Sequence, residues 1–215
     1  MLEADTVAVV VTHRRPRLAT ELVRCLIGTE GFAPSRVILV VDGEGGLDDP
    51  RLEAAIQVHR RHSHSGPAAA FRDGLRAAFA DPQVHYAYLC EDDVLLLGLP
   101  APRVDNLRRL VRQHEASGEH TVGAVVAYGR RFGQRPGVTN PYLPTDAGPD
   151  LQSVDVAAWG ATLVTRAVIE AGVLPDDHWF FAYEDFDFFL RMRRAGLDVL
   201  VDRASAQATA AATVE

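Results

Sequence analysis

Three acids stand in a row at Glu91, Asp92 and Asp93, between the apolar runs 86–90 and 94–97. Adjacent carboxylates held between hydrophobic segments repel one another unless a hard cation neutralises them, so a divalent metal is one reading and an acidic turn facing water is the other. A second acidic group, Glu184, Asp185 and Asp187, follows the aromatic stretch 179–183. Acids in the first turn of a helix are favoured by its dipole. An aromatic, apolar approach also raises a carboxylate's pKa toward the range useful to a general base, so both readings of that group stay open. Asp42 is followed by Gly43, Gly45 and Gly46, a pattern that suits a plain turn or a close backbone approach to a ligand's ribose or base. Ser65, Gly66 and Pro67 precede a helical pattern with Arg72 one turn inside, a turn that can hold an anion. His59, His62 and His64 interleave with Arg60 and Arg61; without cysteines or regular ligand spacing they read as a solvated basic stretch.

The elements that must position these residues alternate between β-branched runs and helical patterns, which gives βαβ units and a largely parallel sheet. Residues 7–11 and 37–41 read as buried strands. Between them Leu18, Leu22 and Leu26 mark one helix face behind Pro16, a residue suited to a helix start. A further helix carries Leu52 and Ile56, and another carries Phe71, Leu75 and Phe79 until Asp81 and Pro82 stop it. The strand 85–89 runs straight into Glu91, placing the acids at a carboxyl end, where open α/β sheets bind ligands. A helix through Leu107, Leu110 and Val111 leads to a strand at 122–127. Residues 129–150 are rich in turn formers and read as a long loop, a candidate substrate lid. A strand at 157–164, a short helix at 166–171, a helix at 184–195 closed by Gly196 and a strand at 197–201 complete the pattern. Residues 204–215 carry no core pattern and are expected to be loosely held.

The chain has 215 residues, 47% hydrophobic and 24% charged, which suits one folded α/β domain over 1–203 with a tail at 204–215. Its net charge, 22 − 29 = −7, argues against nucleic acid as a partner, because phosphate backbones are held by an excess of clustered cations. Cys25 and Cys90 are the two cysteines, too few for a disulfide scaffold or a cysteine-based zinc site, and a reducing, cytoplasmic location is the expectation. The apolar run near the start is six residues long, too short to span a membrane, so no transmembrane segment is expected.

Taken in order, these motifs resemble the family 2 nucleotide-sugar glycosyltransferases with the GT-A fold, a single Rossmann-like domain with a mostly parallel central sheet flanked by helices. The stretch 9–16 (VVVTHRRP) is similar to the family's first strand and its Thr-x-x-Arg turn, and 40–43 (VVDG) to its second strand and acidic end. Residues 90–94 (CEDDV) stand where the family has its metal-binding acids. Residues 157–163 with Arg166, and 180–187 with Leu190 and Arg191, resemble the acceptor-side block of rhamnosyl- and galactofuranosyl-transferase-like members. The resemblance implies that Thr12 and Asp42 contact the nucleoside of a UDP- or dTDP-sugar, with Arg14 near the diphosphate and Arg72 positioning the donor. Asp93, with Glu91 and the intervening Asp92, would hold Mn²⁺ or Mg²⁺. Asp185 would be the general base of an inverting transfer to a hydroxyl acceptor, glycan or lipid-linked, in a site lined by Glu184 and Trp159. The competing readings are a non-catalytic GT-A module that binds a nucleotide sugar or a partner, and a sugar-phosphate nucleotidyltransferase. The latter needs a glycine-rich loop directly after the first strand, where this chain has Thr12, His13, Arg14, Arg15 and Pro16.

Overall fold

The computed structural model describes residues 3–94, 103–118, 121–133, 139–141 and 149–212. The N-terminal half is built from parallel strands joined by helices. β1 (Thr6–Thr12) leads through α1 (Pro16–Gly28) to β2 (Val37–Val41), then through the short α2 (Pro50–Ala55) to β3 (Gln57–Arg60) and through α3 (Pro67–Phe79) to β4 (Tyr86–Glu91). The C-terminal half comprises α4 (Val104–Ala116), β5 (Val122–Val126), β6 (Gly129–Phe132), β7 (Thr139–Pro141), β8 (Leu151–Ser153), β9 (Val156–Ala157) and β10 (Thr162–Thr165). It closes with α5 (Ala167–Glu170), α6 (Glu184–Arg194), β11 (Asp198–Asp202) and α7 (Arg203–Ala212).

The main sheet runs β3-β2-β1-β4-β10-β5-β11-β8, and a small sheet runs β7-β6-β9. Of the main sheet's seven pairings, four are parallel and those at β4–β10, β10–β5 and β11–β8 are antiparallel. β1 explains why both faces must be covered: Val7, Val9 and Val11 join one buried cluster with Phe71 and Leu75 of α3 and Phe188 of α6, while Ala8 and Val10 join another with Leu22 and Leu26 of α1 and Leu107 of α4. A strand apolar at every position fits a sheet with helices on both sides. Gly74 lets α3 sit close on that sheet, since a Cβ there would overlap Val9 and crowd Val40. Among the described residues no helix is long and apolar enough to cross a membrane.

Three expectations about elements need correction. The run 157–164 is two strands, β9 in the small sheet and β10 in the main one, separated by a turn in which Ala161 takes a left-handed φ of 55°. Its mostly apolar character hides the break at Gly160 and Ala161, because periodicity registers side chains and not a backbone reversal. Within 129–150, β6 and β7 pair antiparallel, although Arg130, Arg131, Asn140 and Pro141 are poor strand signals. The intervening 134–138 and 142–148 lie outside the described residues, and so does that part of the expected lid. The tail is not loose throughout: α7 starts where Asp202 Oδ2 accepts the Ser205 amide at 2.9 Å and its hydroxyl at 2.5 Å, and Ser205 and Ala206 are buried. An alanine-rich segment shows no core pattern yet has the highest helix propensity.

Candidate active site

β1, β2 and β4 are mutually parallel, so Thr12, Val41 and Glu91 reach the same edge of the sheet. A cleft of about 400 Å³ opens there, lined by Thr12, His13, Arg15, Asp42, His64 and Gly66, by Pro67 at the start of α3, by Glu91, Asp92 and Asp93, and by Phe180 and Phe181. The sheet edge thus gathers Thr12, Asp42 and the three consecutive acids into one place.

Within it the carboxylates differ in their partners. Asp42 is 1% exposed and is tied to the loop after β3. His64 Nδ1 lies 2.7 Å from its Oδ2, the amides of Ser65 and Gly66 donate to it at 3.0 and 2.8 Å, and the Arg61 guanidinium is 3.2 Å away. Its carbonyl oxygen lies 2.6 Å from His13 Nδ1, and the His13 and His64 rings stack with centroids 3.8 Å apart. Asp92 is also buried. It accepts from the Thr12 hydroxyl at 2.7 Å and from Arg15 Nη1 at 3.0 Å, and the same Arg15 nitrogen lies 3.0 Å from Asp93 Oδ2. Burial pushes the Asp92 pKa up, opposed by the Thr12 hydrogen bond and the Arg15 charge. Asp92 therefore fastens the end of β1 to the end of β4.

Among the described residues, Glu91, Asp185 and Glu184 have no arginine or side-chain hydroxyl partner of this kind, and Asp185 accepts only backbone amide hydrogen bonds. Burial pushes Glu91 up to about 7, with the negative charges of Asp93, Asp185, Glu184 and Asp92 adding to it. Burial likewise pushes Asp185 up to about 6, with Glu184 adding and the Phe186 amide hydrogen bond opposing. Glu184 is 5% exposed, and its Oε2 has no hydrogen-bond partner among the described residues. The first turn of α6 therefore brings two acids toward the strand-end acids, forming a cluster whose negative charge is only partly answered by Arg15.

Four expected site residues sit differently from their sequence reading. Arg14 has a left-handed φ of 54° and pairs with exposed Glu44 at 2.9 Å, so that Arg15 and not Arg14 enters the cleft. Asp42 borders the cleft, but its carboxylate is taken up by His64 and the amides of Ser65 and Gly66. Arg72 is ion-paired to Asp177 and does not line the cleft. Trp159 is 2% exposed, packed against Phe71, Phe188 and Phe189 in the core. It supports the wall behind the cleft instead of lining it. Sequence reasoning did not single out Arg15, His13, Phe180 or Phe181. Their signal was proximity: Arg15 belongs to the same turn as Thr12, and the phenylalanines belong to the aromatic run that precedes Glu184. Elsewhere, Asp176, Asp177 and His178 bring ligand-type atoms within 4.8 Å of one another on the surface, where Asp177 is already engaged by Arg72.

No family model matches the sequence, and no curated protein matches it by sequence. Among solved structures the chain is similar to GalNAc-T7, crystallised with UDP, GalNAc and Mn²⁺, with a TM-score of 0.69 and 11% identity. The likeness covers 93% of this chain and 42% of that one, so the chain spans less than half the length of that protein. The fold is GT-A-like: a large, mostly parallel sheet flanked by helices.

Proposed function

We propose that this chain is a glycosyltransferase that moves a sugar from a UDP- or dTDP-linked donor to a hydroxyl acceptor with inversion, in the manner of the rhamnosyl- and galactofuranosyl-transferase-like members of family 2. The observation that carries this reading is that Glu91 and Asp93, at the end of β4, line the cleft, while Glu184 and Asp185, at the start of α6, lie close enough for their charges to act on Glu91. The GT-A-like fold supports it, as does the fact that the similar GalNAc-T7 was crystallised with UDP and Mn²⁺.

The chemistry of the donor set suits a divalent cation, although among the described residues Glu91, Asp93, Glu184 and Asp185 do not bring three ligand-type atoms within 4.8 Å of one another, so they would draw together around the ion. Carboxylate oxygens suit Mn²⁺ and Mg²⁺, and the unpartnered Glu184 Oε2 together with the raised Glu91 pKa marks negative charge that the chain itself leaves unneutralised. Asp93 and Glu91 would hold the ion, with Asp92 fixing them from behind through Thr12 and Arg15. When bound, the cation supplies Lewis-acid stabilisation of the departing diphosphate.

The other roles fall to side chains of this chain. Arg15 is a fixed cation at the mouth of the cleft, placed to face the diphosphate's charge. Thr12 and Asp42 act as positioning residues for the donor: Thr12 holds Asp92, and Asp42 holds the His64 to Gly66 turn beside which the nucleoside would lie. Arg72 steadies the segment around Asp177, and Trp159 backs α6. Asp185 takes the proton from the acceptor hydroxyl as that oxygen attacks the anomeric carbon, and Glu184 beside it keeps the base in an acidic, half-dry setting. A carboxylate with a pKa near 6 is ionised at neutral pH yet a stronger proton acceptor than an exposed aspartate.

The deciding experiment is turnover of a panel of UDP- and dTDP-sugars with Mn²⁺ and with EDTA. Metal-dependent release of nucleoside diphosphate supports the transferase. Tight, metal-dependent binding of the nucleotide sugar without release or transfer identifies a non-catalytic binding module instead.

A further inference from the structure

Two imidazoles of the cleft, His13 and His64, lie face to face, with ring centroids 3.8 Å apart and planes 14° from parallel. They come from separate segments, His13 from the turn after β1 and His64 from the loop between β3 and α3, yet both turn the same nitrogen to one residue. His13 Nδ1 lies 2.6 Å from the Asp42 carbonyl oxygen, and His64 Nδ1 lies 2.7 Å from Asp42 Oδ2. These partners assign the tautomers. A carbonyl oxygen only accepts, so His13 carries its proton on Nδ1. The Asp42 carboxylate already takes the amides of Ser65 and Gly66 and faces the Arg61 guanidinium, so it too is an acceptor, and His64 carries its proton on Nδ1 as well. In each neutral ring Nε2 is then a bare acceptor. Because the rings are stacked and both Nδ1 edges face Asp42, both Nε2 edges face away from it. Neither Nε2 meets a hydrogen-bond partner among the described residues.

The pair is braced from behind. The Phe180 ring meets His64 edge-on at 5.0 Å. The carbonyl of Phe180 sits where a Cβ on Gly66 would be, so the loop carrying His64 and the segment before α6 touch main chain to main chain, and Gly66 adopts a φ of 90°. Two acceptors presented side by side on a fixed stack suit a ligand with two neighbouring donors. A uracil or thymine base linked to a sugar keeps a single N–H and can satisfy one of them. A ribose can satisfy both, because its 2′ and 3′ hydroxyls stand cis on adjacent carbons and each donates. A 2′-deoxyribose leaves one acceptor without a partner. Position agrees: ribose is the part of a nucleotide next to the diphosphate, and Arg15, the guanidinium that faces the diphosphate, is two residues from His13 and lines the same cleft. We infer that His13 and His64 together read the ribose diol of the donor nucleotide, and so select a UDP-linked sugar over a dTDP-linked one. This rests on the transferase reading for the presence of a nucleotide; the choice of ribose over deoxyribose rests on the two locked imidazoles.

Calorimetric titration of the full chain, in Mn²⁺, with UDP, 2′-deoxy-UDP, 3′-deoxy-UDP and CDP tests it. Each missing hydroxyl should weaken binding about fivefold, the worth of one neutral hydrogen bond. His13→Phe and His64→Phe keep a ring in the stack and remove one acceptor, so each should abolish discrimination against one of the two deoxy analogues and keep it against the other. The ratio is read within one variant, so a general loosening of the loop does not imitate it. In the wild type, long-range ¹H–¹⁵N NMR should find both rings protonated on Nδ1, with both Nε2 signals shifted by UDP and one of them left in place by 2′-deoxy-UDP. An Nε2–H form of either ring overturns the inference. Equal affinity for UDP and both deoxy analogues also overturns it and leaves the transferase reading standing. Discriminating binding of UDP with no turnover of any UDP-sugar does the reverse. CDP bound more tightly than UDP by the wild type, but not by His64→Phe, would give the pair to a base amino group and overturn the diol. No binding of UDP at all removes both readings.

Discussion

At the end of β2, the buried carboxylate of Asp42 is met by a histidine, a guanidinium and two backbone amides, all from residues 61–66. At the end of β4, two strands away across β1, Glu91 faces Asp93, Asp185 and Glu184, and one oxygen of Glu184 has no hydrogen-bond partner among the described residues. Both are acids at the carboxyl ends of parallel strands, and for each the sequence leaves a plain turn and a ligand contact as alternatives. The difference is in what surrounds them. Donors have been assembled around Asp42, so its charge is already answered and its work is to shape a loop. Around Glu91 the neighbours are mostly acids, so the folded chain carries a local charge that a cation or a proton must answer. A buried acid with a full set of donors belongs to the architecture; a cluster of acids left short of donors holds charge that the fold itself does not answer.

The contrast can be broken most sharply at Asp185. Replacing it with Asn keeps its size and removes the proton acceptor, so transfer should fall by about 10²–10⁴-fold while nucleotide binding persists. Wild-type transfer by that variant would reduce Asp185 to a helix-capping acid. Next in size is Asp42→Ala, which leaves Arg61 and the His64 to Gly66 turn without their buried acceptor and should lower unfolding stability by about 3 kcal/mol in urea titrations. A change within experimental error there would mean that the β2 acid is as dispensable to the fold as the β4 cluster is expected to be. Third, Mn²⁺ at a hundred times its dissociation constant should stabilise the wild type by about 2.7 kcal/mol, and Asp93→Ala should lose most of that gain. Equal melting curves with Mn²⁺ and with EDTA would remove the metal from the site.

The smallest effect is the most diagnostic of the missing donors. Folded Glu91 keeps its proton up to about pH 7, whereas an ordinary glutamate loses it near 4.5. Between those values the folded state binds more protons than the unfolded one, so in EDTA this residue makes stability fall as pH rises through that window. Glu91→Gln should flatten that part of the stability profile and leave the protein no less stable than wild type at pH 8. If the variant were clearly less stable at pH 8, Glu91 would have a stabilising partner like that of Asp42.

The parallel half of the fold was readable because its signals are local and redundant. Residues 37–41 are β-branched or leucine throughout and form β2 with those same bounds, and the run 86–90 leads directly to the three acids. What failed to show depends on backbone direction. The left-handed turn at Arg14 exchanges the roles of two adjacent arginines, and the one at Ala161 splits an apolar run between two sheets. The family resemblance implied an acceptor-lining role for Trp159, but a large aromatic side chain is as well suited to filling the core between α3 and α6, where it packs. The acids were visible as types; which of them the fold would satisfy was not, because the donors to Asp42 come from 19 to 24 residues away.

The contact of Gly66 with Phe180 joins main chain to main chain, so it is indifferent to which side chain stands at position 180. A segment held by its own side chains would shift whenever they changed. Here the aromatic at 180 or 181 can be exchanged for another ring, or for none, while the height of residues 179–183 over the His64 to Gly66 turn is set by the absence of a single carbon at 66. The exposed side chains are thereby free to vary over a fixed frame, with one hydrogen atom as its reference point.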